Sequence, residues 1–331
     1  MLTAGPEATN REAVNEAMYS DDLLVRCTDA VSTAFSWVLE HLEAFDPLCR
    51  ATACSPKETK ALVELGIMLL GYSSATGDRL SPGLARAVDF VREICHRPDF
   101  IDWCIRSPES FAHFVDFAAV LRFFEVEHAE LRVRLERAIS CGAAAYHVER
   151  VPFQLMNLRL SLELADLTNT LPSIDTIYKS SILTNELSAA YISQSSAYAI
   201  THIIMFSTKY GADRPSVPPQ LQSKRIHRLL SDMIVCLCQE RHWDLLGEFL
   251  FAWECLELPA SSLTARAWRV FLDAQRDDGS FPSSAPNSLD AAANLDVGEQ
   301  KATGFKESYH TTLVGILAAS SVLRGRFQGA E

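Results

Sequence analysis

The chain has 331 residues, of which 48% are hydrophobic, 22% charged and 9% aromatic. That composition excludes disorder, collagen and low-complexity scaffolding, and it supplies ample apolar material for a core. Asp and Glu number 42 against 30 Lys and Arg, a formal charge of -12, so an extended phosphate-tracking surface is not expected and nucleic acid is not an expected partner.

The nine cysteines, an odd number, are scattered through apolar patterns as at Cys27, Cys95, Cys104 and Cys255. Such thiols suit a reducing compartment, where free Cys behaves as a small buried hydrophobe. The opening residues from Met1 lack the basic and apolar regions of a signal peptide, and the expectation is a cytoplasmic protein. Residues 1–19 read as a tail and 20–331 as a single helical domain.

Helical periodicity begins at Leu24, Cys27, Val31, Ala34, Phe35, Val38 and Leu42, three and four residues apart. Ser55-Pro56, Ser81-Pro82 and Ser107-Pro108 punctuate helix starts, Ser as cap and Pro in the first turn. Ser55 and Glu58 complete a capping box. The starts recur every 26 residues by their numbers (81 − 55 and 107 − 81), so a hairpin takes about 52 and the chain holds about six, the hairpin being the repeating unit. Two more stripes follow: Leu84, Ala87, Val88, Val91, Ile94 and Cys95, then Phe111, Phe114, Val115, Ala118, Leu121 and Phe124. Leu158, Leu160, Leu162 and Leu164 alternate as a strand would, yet Leu160, Leu164 and Leu167 keep helical spacing in a Leu/Glu/Ala-rich segment. Helix is the reading taken.

The uncharged run Leu187–Thr208 carries Ser, Gln, Thr and His and does not read as a membrane span. Within it Tyr198, Thr201 and His202 share an apolar helix, Tyr198 and His202 as neighbours four residues apart. Residues 211–219 are a candidate hinge. The basic stretch Lys224–Arg228 lies on an amphipathic helix and reads as its solvated face. Cys238 and His242 share a helix face and offer zinc as a minor alternative to a site without metal. Trp243-Asp244 and Trp253-Glu254 pair an aromatic with an acid ten residues apart, a wall suited to a cationic or basic ligand. A long loop is expected from Asp277 to about Gly304. After it Tyr309-His310-Thr311-Thr312 opens a strongly apolar helix, whose first-turn N–H groups favour anions.

Between these lies Gln275-Arg276-Asp277-Asp278-Gly279-Ser280-Phe281. It resembles the Gln-x-x-x-Gly-x-Trp repeat of the terpene-cyclase and prenyltransferase α/α-toroid superfamily, with Phe281 in the place of Trp. The resemblance implies six helical hairpins closed into a ring, the motif joining an outer helix to the next inner one, the Gln and aromatic bracing adjacent layers. The aspartate signatures of the catalytic members, Asp-x-Asp-Asp and Asp-Asp-x-x-Asp, are missing, as are Ser-nucleophile, phosphate-loop and dinucleotide motifs.

The expected fold is therefore all-α, an (α/α) toroid of about six hairpins, with an open α-solenoid as the alternative. The expected function is acid–base chemistry, such as cyclisation, isomerisation or elimination, on an apolar or mixed small molecule in a central cavity. The class is an enzyme of specialised metabolism without a cofactor; the alternative is a non-catalytic protein-interaction module. His202 and His310 are the expected proton carriers and Tyr198 and Tyr309 their orienting partners. Asp278, Thr201, Thr312, Trp253 and Glu254 are the expected substrate contacts.

Overall fold

A computed structural model of the protein describes residues 19–49, 56–106, 108–142, 148–212, 218–283 and 297–324. Among the described residues there are thirteen α-helices and no strand, so the all-α class expected from periodicity is the class found. In chain order they are α1 (Asp21–Glu40), α2 (Pro56–Thr76), α3 (Pro82–Cys95), α4 (Pro98–Arg106) and α5 (Phe111–Phe123). Next come α6 (Ala129–Ser140), α7 (Pro152–Leu164), α8 (Ile174–Tyr178) and α9 (Gln194–Ser207). The chain ends in α10 (Lys224–Glu240), α11 (Trp243–Cys255), α12 (Ser262–Leu272) and α13 (Val297–Val322).

Two kinds of helix are distinguishable from their sequences. Helices such as α1, α3 and α12 bury one stripe and leave the rest polar; in α3 the buried residues are the six of the expected stripe, Leu84 to Cys95. Helices such as α5 and α11 are apolar almost all round, and α11 buries eleven of its residues, as a helix covered on several sides must. The second kind forms an inner set: α2 contacts α5, then α5 α7, α7 α9, α9 α11, α11 α13, and α13 contacts α2 again. Six inner helices thus touch in a closed cycle. A solenoid with free ends would leave α2 and α13 apart.

Outside this cycle α12 packs on α1, and α1 on α3, so the last and first outer helices also meet. The enclosure explains the ambiguous leucines: Leu158, Leu160 and Leu162 of α7 are all buried although they point in different directions. Each such side chain contributes about 1.5–3 kcal/mol by leaving water.

The motif at Gln275 lies where α12 gives way to the inner layer. Gln275 Nε2 donates to Ala30 O and Thr33 Oγ1 of α1, both at 3.0 Å, and to Gly279 O at 2.9 Å. Gly279 has φ +89°, and a Cβ there would stand 2.4 Å from Thr33 O, so the turn needs glycine on both counts. Phe281 stacks on Phe271 of α12 at 4.8 Å, and its N–H donates to Thr312 Oγ1 of α13 at 2.9 Å. Seven residues therefore fasten α1, α12 and α13 together.

Several boundaries differ from expectation. α13 begins at Val297, so Val297–Gly304, expected as loop, are helical, and residues 284–296 lie outside the described residues. Tyr309 and His310 consequently sit deep within a helix, and no free first-turn N–H groups surround them. The Ser-Pro starts fare unevenly. Pro56 and Pro82 begin helices, whereas Pro108 begins a one-turn 3-10 segment ahead of α5. Ser81 makes no side-chain cap, and Ser55, Ser107 and the Glu58 side chain lie outside the described residues. In the candidate hinge, residues 213–217 lie outside them too, while Arg324 holds its start by donating to Tyr210 O at 3.1 Å and to Gly211 O. Tyr19, assigned to the tail, docks by donating to Glu254 Oε1 at 2.6 Å. No helix among the described residues is long and apolar enough to cross a membrane.

Candidate functional site

The inner helices surround an open cavity of about 620 Å³, a size suited to a small molecule. Every inner helix contributes to its wall at helical spacing: Lys60, Glu64 and Ile67 from α2, His113 and Asp116 from α5, Phe153 and Asn157 from α7. Continuing round, His202, Met205 and Phe206 come from α9, Glu248 and Phe251 from α11, and His310, Leu313, Val314 and Leu317 from α13. The wall is largely apolar, and two groups of its titratable side chains are built into hydrogen-bonded clusters.

The first cluster centres on His310. Its Nδ1 lies 3.1 Å from Glu64 Oε2, and its Nε2 lies 3.4 Å from both Asp244 Oδ1 and Glu248 Oε1. Each acid has its own donors. Tyr198 and Thr311 donate to Asp244, Thr311 at 3.2 Å; Thr201 donates to Glu248; Lys60 lies 3.5 Å from Glu64. Burial alone would lower the His310 pKa, but the charges of Glu64 and Asp244 and the bond to Glu248 overcome it and hold the imidazole well above its ordinary value. Burial likewise pushes Glu64 up, and His310 and Lys60 overcome it to hold the carboxyl low. Asp244 is raised, chiefly by burial against the opposing charge of His310.

The second cluster is on α5, where His113 and Asp116 are one turn apart. Asp116 is 3% exposed and accepts hydrogen bonds from Ser161 Oγ and from Asn157 Nδ2, the latter at 3.3 Å. Burial outweighs both and pushes its carboxyl up to about 7. His113 shares a 2.6 Å hydrogen bond between Nδ1 and Thr59 Oγ1, and burial pushes its pKa down to about 4. The result is a carboxyl that holds its proton well above the ordinary carboxylate range, beside an imidazole that stays without one at neutrality.

His202 stands in the cavity wall between the rings of Phe153 and Phe206, at 5.6 and 5.5 Å. Its Nδ1 lies 2.6 Å from Tyr198 O; a carbonyl only accepts, so Nδ1 carries the proton and Nε2 is the ring's accepting atom when the ring is neutral.

The expected residues thus divide. Tyr198, Thr201 and His202 of α9 and His310 of α13 are brought together around Asp244 and Glu248 of α11. The tyrosine partnership differs from expectation: the Tyr198 hydroxyl donates to Asp244, and the Tyr309 hydroxyl is held above its ordinary pKa by burial and by the charge of Glu64. Four expected substrate contacts lie elsewhere. Trp253 is fully buried with Nε1 donating to Leu258 O at 3.0 Å, and Glu254 binds Tyr19. The inward stripe of α11 is Asp244, Glu248 and Phe251, which puts 253 and 254 on its other faces. Asp278 caps its own turn, accepting from Ser280 N at 2.9 Å and Oγ at 2.7 Å. Thr312 braces the Phe281 backbone and donates to Ser308 O at 2.7 Å.

Cys238 and His242, expected on one helix face, lie on either side of a break: α10 ends at Glu240, Arg241 is left-handed, and His242 precedes α11. His242 caps α11, its Nδ1 accepting from Leu245 N at 3.4 Å and its Nε2 lying 3.2 Å from Gln194 Nε2. Among the described residues the side chains that converge with metal-ligand spacing are Asp244, Glu248 and His310. Four wall residues, Glu64, His113, Asp116 and Glu248, were not singled out in the sequence.

No curated protein matches the chain. The profile of a family described as a domain of unknown function, DUF6895, matches residues 31–320, from within α1 to within α13 and across every helix that lines the cavity, so the chain belongs to the DUF6895 family.

Proposed function

We propose that this protein is an enzyme of specialised metabolism that takes an apolar or mixed small molecule into the central cavity and transforms it by proton transfer. The reaction class is cyclisation, isomerisation or elimination. The observation that carries this reading is the shared wall: Asp116 and His113, whose pKa values burial moves in opposite directions, line the same cavity as Phe153, Phe206, Phe251 and Leu317. Two titratable groups pushed apart in this way can serve as acid and base in one turnover. Asp116 supplies the proton, and His113 or the accepting nitrogen of His202 removes one, while the apolar wall keeps water from a reactive intermediate.

His310, Glu64 and Glu248 form the charged side of the same space and orient a polar end of the ligand, with Tyr198 acting behind them through Asp244. Lys57, Lys60 and Arg150 also line the cavity, which suits a substrate with an acidic group on an apolar body. The cyclic order of inner helices and the braced Gln275–Phe281 turn support reading the fold as an (α/α) toroid, the architecture implied by the resemblance to the terpene-cyclase and prenyltransferase superfamily.

The test is turnover of a metabolite extract from the source cells, followed by mass spectrometry. The wild type is expected to convert a component into a product of equal mass, or of the mass less water, and Asp116→Asn to slow this by about 10²–10⁴-fold. Equal turnover by Asp116→Asn and by a His113→Ala/His202→Ala double variant would refute the proton-transfer reading.

A further inference from the structure

Asp244 and Glu248 stand one turn apart on α11, and His310 faces both from α13. One ligand atom from each falls within 4.8 Å of the other two. We propose that these three side chains bind a single divalent first-row transition-metal ion, with an open coordination position toward the cavity.

The spacing is the first argument. His310 Nε2 is 3.4 Å from both Asp244 Oδ1 and Glu248 Oε1, long for charge-assisted hydrogen bonds, which run about 2.7–2.9 Å. Metal bonds of about 2.0–2.2 Å to nitrogen and oxygen in tetrahedral geometry place neighbouring ligands about 3.4 Å apart. The second argument is the surroundings of each ligand. Asp244 accepts from Tyr198 and Thr311, and Glu248 accepts from Thr201. Glu64 stands 3.1 Å from the far nitrogen of His310, the place where a carboxylate orients a metal-bound imidazole. His310 Nδ1 and Glu64 Oε2 are both shut off from solvent, and neither makes a hydrogen bond. A small rotation of the ring toward an ion at Nε2 would bring Nδ1–H and that carboxylate into line.

Charge is the third argument. Asp244 and Glu248 are 5% and 2% exposed, and burying two carboxylates against one imidazole leaves negative charge over, a costly state in a protein interior. A divalent ion neutralises the two carboxylates and displaces the proton from His310 Nε2, which leaves the imidazole a neutral ligand, while Glu64 pairs with Lys60 at 3.5 Å. Three protein ligands with a fourth position free is the pattern of catalytic rather than structural sites. Here that position opens on the cavity, since both Glu248 and His310 line it.

The inference rests on these ligands and not on the proton-transfer reading, so the two fail separately. The protein is stripped with a chelator, then titrated with Zn²⁺ and Mn²⁺ by calorimetry and with Co²⁺ by visible absorption. The expected result is one ion per chain, with Co²⁺ ligand-field bands. The near-isosteric Asp244→Asn and Glu248→Gln are each expected to weaken binding about tenfold or more, and His310→Ala to abolish the bands, while Asp116→Asn binds as the wild type does. Circular dichroism checks that each variant is folded; if His310→Ala is not, the two isosteric variants decide. Folded wild-type protein that binds none of the three ions stoichiometrically, or isosteric variants that bind as tightly as wild type, would overturn the proposal.

Discussion

Asp116 has no water to share its charge with, and the Ser161 and Asn157 bonds do not make up the loss, so its carboxyl titrates at about 7. In the unfolded chain it returns to about 3.9. Between those values the folded state binds more protons than the unfolded state, and stability falls as pH rises. The contribution is fully present below the unfolded value and gone above about 7. Asn keeps the shape and the acceptor for Ser161 without the charge. Asp116→Asn is therefore expected to match the wild type near pH 4 and to gain steadily on it up to pH 8, by about 2–4 kcal/mol at most. Urea midpoints of both proteins across that range check it; a gap that stays constant with pH would mean that Asp116 is not titrating there.

At the scale of helices, close approach between α11 and α13 decides where the site's residues meet. Gly247 faces α13, and a Cβ there would stand 2.8 Å from Val314 Cγ1 and 2.9 Å from Phe271 Cζ. Gly247→Ala is expected to lower stability by about 1–3 kcal/mol, overpacking exceeding the gain in helix propensity. Gly304, in the first half of α13, has nothing within 4 Å of a Cβ, and Gly304→Ala is expected to raise stability by about 0.5–1 kcal/mol. Thermal melts of the pair check the signs, and a stabilising Gly247→Ala would contradict the crossing as described. The stripes of α1 and α3 and the braced turn at Gln275 were legible, because one-sided burial writes itself as period and a tight turn as glycine. Most of the acids were not. Glu64, Asp116 and Glu248 look like solvent-facing residues when only spacing is read. The available signal was negative: an acid on a helix that is apolar all round, as in α5 and α11, has no wet face to turn to. Trp253 and Glu254 misled for the same reason, since nothing in α11 marks which apolar face is the cavity. The start of α13 was missed because Gly298, Gly304 and their polar neighbours read as loop; the helix is packed from Phe305, whose ring stacks on Trp37 of α1 at 5.9 Å.

At the scale of the whole molecule, cyclic contact changes how the protein should come apart. In an open array each terminal repeat has one neighbour and can lift away alone. Here α13 packs on α1, α2 and α11, and α12 packs on α1, so the first and last described helices hold each other and neither is a free terminal repeat. Three buried thiols report on separate parts of this arrangement: Cys27 on α1, Cys95 on α3 and Cys255 on α11, each no more than 1% exposed. Burial also raises Cys27 and Cys95 well above an ordinary thiol, which slows alkylation further in the folded state. Pulsed alkylation over a denaturant series, read by mass spectrometry, is expected to give Cys27, Cys95 and Cys255 one common midpoint, coincident with loss of the helical signal. The exposed Cys141 is expected to label throughout. Coincidence follows if opening any joint of the cycle unseats the rest. Earlier labelling of Cys27 than of Cys255 would instead mean that α1 peels from α13 as a free end does, and the contacts between first and last helices would then contribute little to stability.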